Sequence, residues 1–156
     1  MSRLRVLGAL MVVALMASAC AEGLAFVKDD RVEIVAPKGH TKVSLPVTID
    51  WEVEDFDGYF ALFVNTTPVP PGKTLEWIAR DDQTCLNTPG CPDRTYFADR
   101  GVYSTTETSV TLERLPDRDA YQGHETHEVT VILLDGTGRR LTESAWHVTF
   151  FYDREV

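Results

Sequence analysis

Six apolar residues, Val43, Leu45, Val47, Ile49, Trp51 and Val53, alternate without a break with Ser44, Pro46, Thr48, Asp50, Glu52 and Glu54. Successive side chains of a β-strand point to opposite faces, so this run can bury one face and wet the other only as extended chain. A helical period of 3.6 would scatter the same residues around a cylinder. Pro46 has no N–H to give to a ladder, so its part of the run is predicted at an edge or a bulge.

The rest of the chain reads the same way. Val32 and Ile34 alternate with polar neighbours, and Pro37-Lys38-Gly39-His40 spells a turn. Asp57-Gly58 marks another. Tyr59–Val64 and Val129–Leu134 are apolar on both faces, as central strands are. Val102–Thr106 and Ser109–Leu112 are rich in β-branched residues. Asp135-Gly136-Thr137-Gly138 predicts a hairpin, because Asp and Gly tolerate positive φ. The strand that returns from it carries Trp146, Val148, Phe150 and Tyr152 on one face. No long segment has a helical period. About seven short strands separated by turns predict an all-β protein, a single antiparallel sandwich. The pattern resembles an immunoglobulin-like or fibronectin-type domain over residues 31–153. That resemblance rests on strand pattern rather than on a motif, and it lacks the cross-sheet cysteine pair of antibody domains. The fold implies no function by itself.

The N-terminus is of another kind. Arg3 and Arg5 precede fourteen uncharged residues, Val6 to Ala19. A membrane-spanning helix needs roughly 18–20 apolar residues, so this run is too short. Its positive start and small-residue end have the layout of a signal peptide. Met16-Ala17-Ser18-Ala19-Cys20 resembles a bacterial lipobox, a likeness confined to the first twenty residues. It implies cleavage before Cys20 and a diacylglycerol on the Cys20 thiol. Ordinary signal-peptidase cleavage after Ala17-Ser18-Ala19 is the alternative. The expected organisation is a signal peptide at 1–19, a lipidated tether at 20–30 and the sandwich at 31–156. The location this implies is the bacterial cell envelope, on a membrane through Cys20. Once Cys20 is lipidated, Cys85 and Cys91 are left as a pair. In an oxidising compartment a disulfide is then expected. The pair lacks Cys-x-x-Cys spacing and a nearby histidine, which argues against zinc.

Without residues 1–19, thirteen basic residues face 24 acidic ones, a net charge of −11. Such a surface repels phosphate backbones, so no nucleic-acid partner is expected. His124-Glu125-Thr126-His127-Glu128 has its histidines three apart, where the zinc-protease motif needs four on a helix. Solvated polar residues leading into a strand are the expectation there. A surface metal site with His40 or His147 is the sharper alternative. Gly72-Lys73-Thr74 lacks the upstream glycine of a phosphate loop. No serine stands in a nucleophile elbow. Neither cofactor nor resident metal is expected, and no enzyme; Asp81, Asp82, Asp93 and Asp99 leave calcium as an open alternative. The long connection between Val64 and Val102 is the feature to suspect, because long insertions in compact domains are commonly functional. Within it Trp77, Asp81, Asp82, Tyr96 and Phe97 are the candidate binding residues. The expected role is a membrane-anchored binding or interaction module for an envelope protein or glycan, with structural assembly in the envelope, and after it a metal-binding or enzymatic lipoprotein, as the alternatives.

Overall fold

The computed structural model describes residues 28–119, 123–142 and 145–153. The expected signal peptide at 1–19 and the expected lipidation site Cys20 lie outside the described residues. Eight strands form two sheets. The first sheet has the order β1-β3-β6, from Val32–Ala36, Val47–Val53 and Ser109–Leu112. The second has the order β2-β8-β7-β4-β5, from Lys42–Val43, Trp146–Tyr152, Glu125–Leu134, Tyr59–Val64 and Val102–Thr105. The chain is an all-β sandwich, as the alternation predicts. Among the described residues it has eight strands where about seven are expected, and it is not wholly antiparallel, because β2 runs parallel to β8.

The additional strand comes from the long alternating run, which is not one strand. Lys42–Val43 joins the second sheet and Val47–Val53 the first, with Pro46 in the crossing between them. A residue without an N–H suits a point where the chain leaves one ladder for another. The period of two survives the break because both sheets face the same interior. Val43 and Leu45 pack against the same core as Val47, Ile49 and Trp51. That core takes Val32 and Ile34 from β1, Phe60, Leu62 and Val64 from β4, Val129, Val131 and Leu133 from β7, and Phe150 from β8. Trp51 sits in it edge-on to Phe60, with ring centroids 5.5 Å apart.

The domain begins earlier than its patterning suggests. Lys28 bridges to Ala145, and Lys28 Nζ lies 3.4 Å from the centre of the Trp146 ring. Asp29 is buried and accepts from Arg31 N at 3.1 Å, Nε at 3.0 Å and Nη2 at 2.9 Å. Burial alone would push the Asp29 carboxyl up. The Arg31 hydrogen bonds and charge, with Thr142, outweigh it and hold Asp29 below its ordinary value of 3.8. Residues 28–30, expected in the tether, are therefore part of the fold.

Trp51 is 2 % exposed. Replacing it by alanine empties a large site between the sheets and should cost about 3–5 kcal/mol. Denaturant unfolding followed by circular dichroism measures this, and a loss under about 1 kcal/mol would place Trp51 outside the load of the core.

Candidate functional site

β4 and β7 are apolar on both faces, and the second face needs a cover. Ala61, Phe63, Val102, Ile132 and Leu134 on the outer side of the second sheet form a second buried cluster with Val69, Leu75 and Ala145. Trp77, Ile78 and Phe97 pack against it. The cover is the connection between β4 and β5, folded as a 3-10 turn, Leu75–Ala79, and two short helices, α1 (Gln83–Leu86) and α2 (Arg94–Ala98). These turns are too short to show a helical period in the sequence.

Local chemistry sets each turn. Asp82 stands before α1 and accepts from Cys85 N at 3.0 Å; Asp93 stands before α2 and accepts from Tyr96 N at 2.8 Å. Aspartate is a favoured N-cap, because its carboxylate satisfies an N–H that the helix leaves unpaired. Asp82 does more than cap. Its other oxygen accepts from the Tyr96 hydroxyl at 3.1 Å and from Arg100 Nη2 at 3.0 Å. The Cys85 N–H, with Tyr96 and Arg100, holds the Asp82 carboxyl below its ordinary value against a smaller effect of burial. Cys85 and Cys91 are disulfide-bonded, and Cys85 is only 3 % exposed.

Both ends of the segment are fixed to the sheet. At the start, buried Arg140 donates from Nη1 to the Val69 carbonyl and from Nε to that of Thr142, each at 2.8 Å. Its backbone pairs with Gly72 and Lys73. At the end, the Gly101 carbonyl accepts from Val64 N at 2.7 Å. Gly101 has φ +70°, and a Cβ there would meet the Val64 carbonyl oxygen at 2.5 Å, so only glycine closes the segment without strain.

The five candidate residues fall into three settings. Asp82 and Tyr96 meet, with the Arg100 guanidinium carbon 3.6 Å from the Tyr96 ring centre. Trp77 and Phe97 lean on the second core and are half-buried, not an exposed aromatic cluster. Lys73 and Arg80 lie 4.3 Å and 4.9 Å from the Trp77 ring centre. Asp81 is exposed and pairs with Arg80. The four acids considered for calcium are thus dispersed as caps and ion pairs, Asp99 pairing with Arg114. Among the described residues no three His, Cys, Asp or Glu side chains gather as metal ligands.

The histidine motif corrects a different expectation. Glu125 and His127 are buried, not solvated, and His127 is 0 % exposed. The inward set Val129, Val131, Leu133 continues back by twos to His127 and Glu125, and that period was the signal for them. His127 Nδ1 lies 2.8 Å from Asn65 Nδ2 and its Nε2 lies 3.2 Å from Glu125 Oε2. The Asn65 carbonyl oxygen is committed to the Glu128 N–H at 3.0 Å, which turns the Asn65 NH2 toward the ring. Nδ1 therefore accepts, and the Nε2 proton points at Glu125. His124, in contrast, is half-buried against Phe151. Arg140 and Tyr59 also escaped the sequence. Arg140 follows a hairpin, where a charged residue reads as surface.

Compared with family models, curated proteins and solved structures, the chain matches none.

The disulfide closes a ring of small sequence separation on a segment that the second core and Arg140 already hold. Converting Cys85 and Cys91 to serine should leave the sheet signal intact and cost about 2 kcal/mol, as loop entropy suggests. Thermal unfolding by circular dichroism checks this; complete loss of the β-sheet would show that the sandwich cannot form without the bond.

Proposed function

We propose that the protein is a lipid-anchored lipoprotein of the bacterial envelope whose sandwich presents the segment between β4 and β5 as a binding module for an envelope protein or glycan. The observation that carries the reading is the rigid hold on that segment. It is bonded at both ends, crossed by a disulfide and seated on apolar groups of the sheet. A surface ordered before binding does not lose that conformational freedom on binding.

The anchor rests on the resemblance of Met16–Cys20 to a lipobox. Among the described residues no helix is long and apolar enough to cross a membrane. Two or more acyl chains hold a protein stably where a single chain does not, at about 0.8 kcal/mol per buried methylene. The net charge of −11 without residues 1–19 opposes direct contact with anionic lipid, which leaves attachment to the lipid on Cys20. Assembly through strand edges is the weaker alternative, because the outermost strands β1, β2, β5 and β6 have at most five residues.

Two variants test the reading. Cys20→Ser should move the protein from the membrane to the soluble fraction; retention after a salt wash would end the anchor proposal. The soluble domain from Lys28 onward should co-sediment with isolated envelopes, and the Cys85→Ser, Cys91→Ser form should bind at least about tenfold more weakly while remaining folded, a difference of ~1.4 kcal/mol. Equal binding by the folded double variant would remove the segment from the role.

A further inference from the structure

The aromatic rings of the segment are already occupied. Trp77 has Lys73 and Arg80 against it, Tyr96 lies under Arg100, and Phe97 is packed on the sheet. One aromatic beside the segment is not. Tyr59 opens β4 on the outer side of the second sheet, in register with Leu134 and just beyond the cover that protects Ala61 and Phe63. It is 44 % exposed.

Tyr59 lines a cleft of about 330 Å³ between the segment, the sheet and the hairpin that follows β7. Leu75, Phe97 and Leu134 supply the apolar part of its lining. Glu76, Thr74 and Ser104 supply a carboxylate and two hydroxyls. None of these three polar side chains, nor the Tyr59 hydroxyl, has a side-chain partner among the described residues, whereas Asp135, beside the lining residues Leu134 and Gly136, is spent on its turn. On the far side Gly136 and Gly138 meet open space where side chains would stand, which keeps that wall low.

We infer that this cleft binds a neutral sugar unit of an envelope glycan, with the Tyr59 ring against the apolar face of the sugar and Glu76, Ser104 and Thr74 on its hydroxyls. The inference rests on the binding-module reading and names its ligand class. The chemistry of the lining selects it. No lysine or arginine lines the cleft, so phosphate, sulfate or carboxylate would bring a negative charge to Glu76 with no cation in the lining to offset it. A wholly apolar ligand would leave the carboxylate and hydroxyls without partners. A polyol with one apolar face satisfies both halves. A few polar groups converging on an apolar floor are the usual form of such sites. A polypeptide strand would be expected to pair with the β5 edge, and only Ser104 of β5 lines the cleft.

The test is a nuclear magnetic resonance titration of the domain from Lys28 onward with cello-, manno- and N-acetylchito-oligosaccharides. At least one should produce saturable shifts in the amides of Tyr59, Ser104 and Gly136 to Gly138. Tyr59→Ala should weaken that binding at least about tenfold, or ~1.4 kcal/mol, with an unchanged melting temperature. Tyr59→Phe, which keeps the ring, should bind nearly as well as the parent. Absence of saturable shifts with all three sugars, shifts confined to other surfaces, or undiminished binding by Tyr59→Ala would each overturn the assignment. If envelopes still capture the domain while the sugars leave the cleft untouched, the module reading stands and the sugar assignment falls. If that capture is abolished by treating the envelopes with protease, the partner is a protein.

Discussion

The structure depends on apolar surface that lies on the wrong side of a sheet. A two-layer sandwich needs one buried face per sheet, and the first sheet of this protein follows that rule. The second does not: Ala61, Phe63, Ile132 and Leu134 put a second apolar face where solvent would otherwise be. Burying a large aliphatic or aromatic side chain is worth roughly 1.5–3 kcal/mol, so leaving this face bare would cost a marginally stable domain much of its stability. The connection between β4 and β5 becomes a third layer for that reason. Its length, its small helices and its fixed ends all answer the same need.

Two polar devices make the arrangement specific. On the outer layer, Asp82 joins the start of α1 to Tyr96 in α2 and to Arg100 just after it, so the two helices keep one relative position. Between the sheets, Asn65, His127 and Glu125 form a hydrogen-bonded line from the end of β4 into the start of β7. A buried polar line of this kind tolerates little displacement, because a broken bond leaves a donor or acceptor unsatisfied at about 1–3 kcal/mol. It fixes Asn65, at φ +56°, at the point where the chain leaves the sheet to begin the outer layer.

Much of the fold was legible in the sequence, and the failures have a common cause. Alternation located the core-facing residues of β1, β3 and β8, and the doubly apolar runs located β4 and β7. Periodicity reports which way a side chain points and not which sheet receives it, so the passage of the Val43–Val53 run from one sheet to the other was invisible. It also cannot see an interaction that depends on residues distant in the chain. Arg140 lies beneath Val69 only once the hairpin and the outer layer meet. His127 looked like a solvated residue because its partner Asn65 is 62 positions away. Of the candidate residues, Trp77 and Phe97 lie on the inward face of the segment, packed against the second core. In the sequence Tyr59 is only the first residue of a doubly apolar strand.

The segment is a docked layer and not a loop lying on the surface. Native-state amide hydrogen exchange tests it most directly, because exchange reports the free energy of opening for each hydrogen-bonded amide. The amides of Gly72, Trp77 and Arg140 bond to Arg140, Thr74 and Lys73 respectively. If the layer is integral to the sandwich, they exchange with opening free energies within about 1–2 kcal/mol of those of β4. Exchange of the same amides at nearly unprotected rates, with β4 still fully protected, would contradict the account.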